Sequence, residues 1–295
     1  MGTKILIIGA GGFTGSYLMH EAANRGLDAI GTSRIGEGGL EPLELTDFGA
    51  LRQVLQKHSP QTVILAAGQT NMDYCELHQG ETRVVNVGVT GEVADWCGQN
   101  NAKLVFYSSD AVFDGRDGPY DEESHAPNPT SVYAKQKVES EKIISSRLDD
   151  FLIIRTSSVF GWDSRNANFI ARLVTASRGG REFKAPFDQS YTPTYVKDLA
   201  GATFGLLQRE SNGVYNAAGP DILSRYEFAG LACEVLGLDS KIVVGVKTSD
   251  LRQSAPRLVK GGLISGKLEA KTGFHPRAVR AGLQDMKADS PPDAD

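Results

Sequence analysis

Cysteine is scarce in this chain of 295 residues. Cys75, Cys97 and Cys233 are odd in number and widely spaced, so no disulfide framework is legible and a reducing compartment is expected. No Cys-x-x-Cys pair occurs, and the five histidines (His20, His58, His78, His125, His275) are scattered, which argues against a zinc site. A basic surplus is missing too. The 31 Lys+Arg against 36 Asp+Glu leave a net charge of −5, unlike a dedicated nucleic-acid binder. No apolar run approaches the roughly 20 residues of a membrane helix, and the start lacks the basic-then-apolar pattern of a secretory signal. Internal repeats and low-complexity segments are absent. A cytoplasmic protein with neither membrane nor nucleic-acid partners is the expectation.

What is present is ordinary globular material, 40% hydrophobic and 23% charged, with a high count of 33 glycines. At roughly 150 residues per domain the length suggests about two lobes. Lys4 to Ile8 reads as a buried strand ending at Gly9, followed by a helix over Ser16 to Arg25. Further strands are expected over Leu27 to Thr32, Thr62 to Ala67, Lys103 to Ser108 and Phe151 to Arg155. Helices are expected over Asp47 to His58 (capped by Thr46 or Asp47), Glu81 to Asn100 and Val132 to Ser146. Asp114 to Thr130 reads as a loop. Strands alternating with helices at this spacing predict a parallel, doubly wound α/β sheet. Right-handed crossovers put its strand C-termini on one edge, where ligands bind. Beyond Arg155 the rhythm loosens, with helices over Asn168 to Ser177 and Arg225 to Leu236 and a short strand over Ile242 to Val246.

Gly9-Ala-Gly-Gly12-Phe13-Thr14-Gly15 closes the first strand and opens the first helix. The first glycine allows the tight turn, the second lets a pyrophosphate approach, and the third lets helix and strand pack closely. The G-x-x-G-x-x-G spacing carries Thr14 where the G-x-G-x-x-G fingerprint has a glycine. Its place between strand and helix points to dinucleotide binding rather than a plain turn. After the second strand the chain reads Gly31-Thr-Ser33-Arg34, with no acid to hold a ribose 2′-hydroxyl. Ser33 and Arg34 together suit a 2′-phosphate, which favours NADP(H) over NAD(H); a solvated loop cation is the plainer reading of Arg34.

Tyr133 and Lys137, at i and i+4, share one helical face. An ammonium near a phenol favours phenolate, and a tuned phenol exchanges protons with a substrate oxygen. Such a pair is common by chance. Ser108-Ser109 at the end of the fourth strand adds a hydroxyl on the ligand edge of the sheet.

With these residues the chain resembles the extended branch of the short-chain dehydrogenase/reductases, and more narrowly the dTDP-4-dehydrorhamnose reductase family. The likeness is carried by Tyr107-Ser-Ser-Asp-Ala-Val-Phe-Asp-Gly115 and by Asn128-Pro-Thr-Ser-Val-Tyr-Ala-Lys-Gln-Lys137 with Glu141. It continues in Arg155-Thr-Ser-Ser-Val-Phe160 and in Asp188-Gln-Ser-Tyr-Thr-Pro-Thr-Tyr195 with Asp198-Leu-Ala200. It spans about residues 4 to 285 and thins after Pro220.

The resemblance implies a Rossmann domain over 1–156, with 185–215 returning to it. It also implies a smaller substrate-binding lobe over 157–184 and 216–287; the polar tail 288–295 is expected to be frayed. Ser109 would orient a substrate carbonyl, Tyr133 would act as general acid, and Lys137 would lower the Tyr133 pKa and hold the nicotinamide ribose. Phe13, Thr14, Glu44 and Leu45, with Ala66, Ala67, Gly68 and Thr70, would complete the cofactor site. Gln69, Asp110, Ala111, Ser158 and Arg257 would face substrate. Four positions depart from the family pattern. Ser158 and Ala111 replace aromatic residues, Gln69 stands where His is frequent, and Leu258 stands in place of Pro. These changes imply a bulkier or differently oriented substrate, or one that is not a dTDP-sugar.

The implied reaction is hydride transfer from NADPH to the ketone of a nucleotide-linked 4-keto-6-deoxysugar, in a chain that would form a homodimer. Two alternatives stand beside it: a sugar-nucleotide epimerase or dehydratase of the same fold, and an NADP-binding regulatory subunit like the beta subunit of methionine adenosyltransferase. Elsewhere plainer readings hold. Asp121-Glu-Glu123 reads as a solvated acidic turn and Trp96 and Trp162 as packing residues. Asp73 and Glu76 read as helix caps or pocket residues.

Overall fold

The computed structural model describes residues 4–123, 126–163 and 165–289. The first apolar run forms β1 (Ile5–Ile8), buried throughout. Leu6 and Ile8 enter one core layer, Ile5 and Ile7 the other, as a strand covered on both faces requires. The strands β2 (Ala29–Ser33), β3 (Glu41–Pro42), β4 (Thr62–Leu65), β5 (Lys103–Ser109), β6 (Phe151–Thr156) and β11 (Gly213–Asn216) join it in one sheet of order β11-β6-β5-β4-β1-β2-β3. All its pairings are parallel. This is the doubly wound α/β sheet, and the C-terminal ends of β1, β4, β5 and β6 open on one edge.

One face is covered by α2 (Phe48–His58), α5 (Val89–Asn100) and α6 (Val132–Arg147), through Leu51, Leu55, Val93 and Ile144. The other face packs α1 (Phe13–Asn24), α8 (Val196–Gln208) and α10 (Gly266–Thr272), through Leu18, Leu199, Phe204 and Leu268. Helix α1 starts three residues before the expected Ser16, with Gly12 as its N-cap. Helix α2 is capped by Asp47, whose side chain accepts from the Ala50 amide. The expected long helix over Glu81 to Asn100 is interrupted. It runs as α4 (Gln79–Arg83), a π turn at Val84–Gly88, and α5. A short helix, α3 (Met72–Leu77), precedes it under an Asn71 cap.

A second core gathers β7 (Val159–Phe160), α7 (Phe169–Arg178), β8 (Phe183–Pro186) and β10 (Thr194–Tyr195) with α9 (Arg225–Leu236) and α11 (Val279–Ala288). Here β8 pairs with β13 (Val243–Val246) and β7 with β10, while β9 (Ser190–Tyr191) pairs with β12 (Leu223–Ser224). Chain 157–289 therefore alternates between the sheet and this second core. Ala288 closes α11, and 290–295 lie outside the described residues. Among the described residues no helix is long and apolar enough to cross a membrane.

Candidate active site

The glycine loop is built as its spacing demands. Gly9 sits at φ +88°, and a Cβ there would lie 2.7 Å from the Ala67 Cβ. A Cβ on Gly15 would fall 2.1 Å from the Gly9 carbonyl oxygen, so only glycine lets α1 start this close to β1. The result is a bare backbone cradle at a helix N-terminus, the geometry that receives a pyrophosphate. Ala66 and Ala67 follow β4 alongside it. One residue here escaped the sequence reading. Arg165 reaches across from the segment before α7 and donates to the Gly11 carbonyl. It carries no sequence pattern that would have marked it.

Beside the cradle, Ser33 is buried and its Oγ accepts from the Gly36 amide at 3.0 Å, while Arg34 is exposed. Glu44 caps its own turn, its Oε1 taking the Thr46 amide at 3.3 Å and hydroxyl at 3.1 Å. Leu45 packs against the sheet core. Gly68 and Thr70 are exposed and Gln69 is half-buried. The π turn explains the order of this loop. It projects Asn86, whose Oδ1 accepts from the Gln69 amide at 2.8 Å and whose Nδ2 donates to the Gln69 carbonyl at 3.0 Å and to Gln136 Oε1 at 2.8 Å. A buried amide thus ties the loop after β4 to α6, a use of π turns common at functional sites.

Ser109 ends β5, and Tyr133 and Lys137 stand on the first turns of α6, which Ser131 caps by accepting from the Ala134 amide at 3.3 Å. Tyr133 is 8% exposed and Lys137 7%. Lys137 Nζ donates to the Tyr107 carbonyl at 2.7 Å and lies 4.4 Å from the Phe106 ring centroid and 5.8 Å from that of Tyr133. Burial raises the Tyr133 phenol well above its ordinary value, helped by Asp110 and Cys75 and opposed by a hydrogen bond with Ser109. Burial is the dominant influence on this phenol. Burial also lowers Lys137 to about 8, against the opposing charges of Glu141 and Cys75. The pair rests on Glu141, whose two oxygens accept from Arg155 Nε at 3.0 Å and Nη2 at 2.6 Å, both side chains buried.

The Lys137 shift has a stability consequence. The folded chain releases this proton near pH 8, the unfolded chain near 10.5. Between those values the unfolded chain binds more protons, so this group's contribution to stability rises with pH. Relative to Lys137→Met, the wild-type Tm is expected to rise between about pH 8 and about pH 10.5; a constant difference would refute the shift.

Asp110 is a junction. Its Oδ1 accepts from Ser109 Oγ at 3.1 Å, and its Oδ2 accepts from Ser157 Oγ at 2.6 Å and from the Gly262 amide at 3.2 Å. Burial raises this carboxyl, against the Ser157, Gly262 and Ser109 hydrogen bonds. Ala111 is buried beside it and its amide donates to Ser109 Oγ at 3.1 Å. Ser158, at φ +46°, accepts from Arg225 Nη1 at 2.5 Å. Arg257 binds Asp73 Oδ2 at 2.7 Å and the Ala255 carbonyl at 2.7 Å. Asp73 is therefore neither a cap nor a free pocket acid. Burial pushes it up, but the Ala255 amide and Arg257 overcome that and hold it low. Glu76 accepts from the Val132 amide at 3.0 Å, at the head of α6. One plainer expectation also changes. Glu122 is no solvated residue: it accepts from the Asn216 amide at 2.7 Å, at the end of β11. Trp162 packs as expected, and it also donates to the Met286 and Asp289 carbonyls.

A parallel sheet with a glycine cradle after β1 and a Ser-Tyr-Lys set at the β5 edge defines an extended short-chain dehydrogenase/reductase. The RmlD substrate binding domain family matches residues 3–290, and the chain belongs to that family. Among named relatives, the spore coat polysaccharide biosynthesis protein SpsK of Bacillus subtilis (strain 168) is 29% identical over 283 residues, 96% of each chain. The dTDP-4-dehydrorhamnose reductase of Mycobacterium tuberculosis (strain CDC 1551 / Oshkosh) is 29% identical over 259 residues, 86% of this chain and 82% of that one. In structure, the chain resembles dTDP-4-dehydrorhamnose reductase from Bacillus anthracis str. Ames, solved in complex with NADP. The TM-score is 0.89 at 25% identity, covering 97% of this chain and 99% of that one.

Proposed function

We propose that this chain is an NADP(H)-dependent reductase of the dTDP-4-dehydrorhamnose reductase type, acting on the ketone of a nucleotide-linked 4-keto-6-deoxysugar. The observation that carries this reading is the meeting of Ser109 and a buried, protonated Tyr133 beside the glycine cradle, with Lys137 beneath. The residues fit the cofactor. The cradle keeps its shape only because Gly9 and Gly15 carry no Cβ to strike Ala67 and the Gly9 carbonyl, which leaves bare backbone for a pyrophosphate; Arg34, exposed beside β2, suits a 2′-phosphate. Arg165 would close over the same anion.

NADPH held at the Gly9–Gly15 cradle would supply the hydride for the carbonyl carbon. Ser109 Oγ turns its proton from Asp110 Oδ1 to the carbonyl oxygen, while the Ala111 amide keeps its hydrogen bond to Oγ. Tyr133 gives that oxygen its phenolic proton as negative charge develops there. A phenol raised by burial is a stable proton store in the resting site. The Lys137 ammonium would offset the charge left on the phenol and would hold the nicotinamide ribose. Exclusion of water by the buried walls strengthens each of these interactions.

The test is cofactor oxidation by the purified protein against a panel of nucleotide 4-keto-6-deoxysugars. Stoichiometric NADPH loss with product formation is expected. Isomer formation or dehydration without net NADPH loss would favour an epimerase or dehydratase. Tight NADPH binding without turnover would favour a regulatory subunit. Cofactor choice gives a further prediction. Arg34→Ala is expected to weaken NADPH binding by about tenfold while sparing NADH, whereas Arg165→Ala weakens both alike. Equal losses of the two cofactors in Arg34→Ala would remove Arg34 from the 2′-phosphate role.

A further inference from the structure

Three guanidinium groups converge outside Ser158, each from a different element. Arg225 opens α9. Besides its bond to Ser158, it lies 4.3 Å from the Tyr191 ring centroid and 4.9 Å from that of Phe169. Arg172 stands on α7 one turn beyond Phe169. The Tyr191 hydroxyl donates to the Leu258 carbonyl at 3.3 Å, next to Arg257. Arg225 is thus linked through one ring toward Arg172 and through the other toward Arg257. Burial, then the charges of Arg225 and Arg257, lower the Arg172 guanidinium from its ordinary value.

The acids are unequally shared. Arg257 is taken by Asp73 and the Ala255 carbonyl. Asp110, which also feels Arg225, has both oxygens engaged by Ser109, Ser157 and Gly262. Among the described residues, neither Arg172 nor Arg225 has a carboxylate within ion-pair distance. Two positive charges are left without a carboxylate partner, one on α7 and one at the start of α9, and Arg225 is steadied on the Phe169 and Tyr191 rings. Guanidinium forks held this way suit a dianion with several acceptor oxygens. The location fits a linker between sugar and nucleoside. Arg225 binds Ser158, the neighbour of Ser157, and Ser157 touches the carboxylate that holds Ser109.

We propose that Arg172 and Arg225 hold the diphosphate of the nucleotide-linked substrate, and that Arg257 is a positioning residue that fixes the 255–263 segment through Asp73. The proposal rests on the nucleotide-sugar reading above and reassigns the role that the resemblance implied for Arg257.

Calorimetric titration of wild type, Arg172→Gln, Arg225→Gln and Arg257→Gln with dTDP, UDP and inorganic pyrophosphate tests it, with NADPH affinity as the control for folding. Arg225→Gln and Arg172→Gln are each expected to weaken the nucleoside diphosphates and pyrophosphate by about tenfold or more, with NADPH unchanged within about twofold. Arg225→Lys should recover part of the loss. Pyrophosphate binding should survive in Arg257→Gln, and nucleotide affinity should return in Arg257→Lys, which keeps the Asp73 pair. Retained diphosphate affinity in both Arg172→Gln and Arg225→Gln, or a pyrophosphate loss confined to Arg257→Gln, overturns this inference alone. A wild-type chain that binds neither nucleoside diphosphate nor pyrophosphate overturns it together with the nucleotide-sugar reading.

Discussion

Tyr133→Phe is expected to lower turnover of a keto-sugar substrate by about 10²–10⁴, while NADPH binding stays near the wild-type value. The substitution removes one oxygen from a buried ring and leaves its packing beside Cys75, Ala111 and Ala134. The fold should therefore tolerate it, and the loss should fall on kcat, because the missing interaction forms as the carbonyl oxygen gains charge. Single-turnover hydride transfer and cofactor fluorescence titration, measured on the same preparation, separate the two effects. Near-normal turnover in the variant would remove Tyr133 from the role of acid and turn attention to Ser109 and water.

The largest stability effect is expected at Glu141. Its bidentate pair with Arg155 joins α6 to β6, at 6% and 8% side-chain exposure, and the Arg155 guanidinium also lies 5.3 Å from the Phe113 ring centroid. Glu141→Ala leaves a buried guanidinium without its partner, at a cost of about 3–5 kcal/mol. In a chain of this size that lowers Tm by something on the order of 5–10 °C. Replacing both partners by methionine removes the uncompensated charge and should restore most of the loss. Chemical denaturation of the two single variants and the double variant decides it. A double variant no more stable than Glu141→Ala would show that the pair's value is not electrostatic. The same experiment bears on function, because Glu141 lies one turn beyond Lys137 and its charge helps keep that ammonium protonated.

The parts of this molecule legible in the sequence are those in which short-range chemistry dictates geometry. The Lys4 to Ile8 run was readable because a strand buried on both faces needs unbroken apolar residues. The glycines after it were readable because their backbone approach tolerates no Cβ. Asp47, one of the two caps expected for α2, marked that helix start in the ordinary way. Helix α8 escaped the reading, although most of its residues are buried against the sheet. The π turn at Val84–Gly88 escaped because nothing local distinguishes it from helix. Its purpose lies in Asn86, whose partners are 17 and 50 positions away.

The site divides along the same line. Ser109, Tyr133 and Lys137 were marked by spacing on known elements. Arg172, Arg225 and Arg165 acquire meaning only from neighbours that the fold brings to them: Phe169, Tyr191 and Ser158 for Arg225, and Gly11 for Arg165. Arg257 was marked by resemblance, but its acid, Asp73, stands 184 positions earlier. The direction of the Tyr133 shift depended on how deeply α6 buries the ring, which spacing does not report.

Asp110 binds three stretches of chain at once: the end of β5, the start of the segment after β6, and the turn at Gly262. Such a knot makes the path of the 255–263 strap and the aim of the Ser109 hydroxyl a single mechanical quantity. A strap lengthened or rerouted to admit another sugar would drag the hydroxyl off the carbonyl it must meet. Diversification of substrate in proteins built this way is therefore channelled into side chains that hang from a fixed strap and a fixed helix start, such as those at 158, 172 and 225. Two relatives with quite different sugars should superpose along this backbone and differ mainly in the side chains it carries.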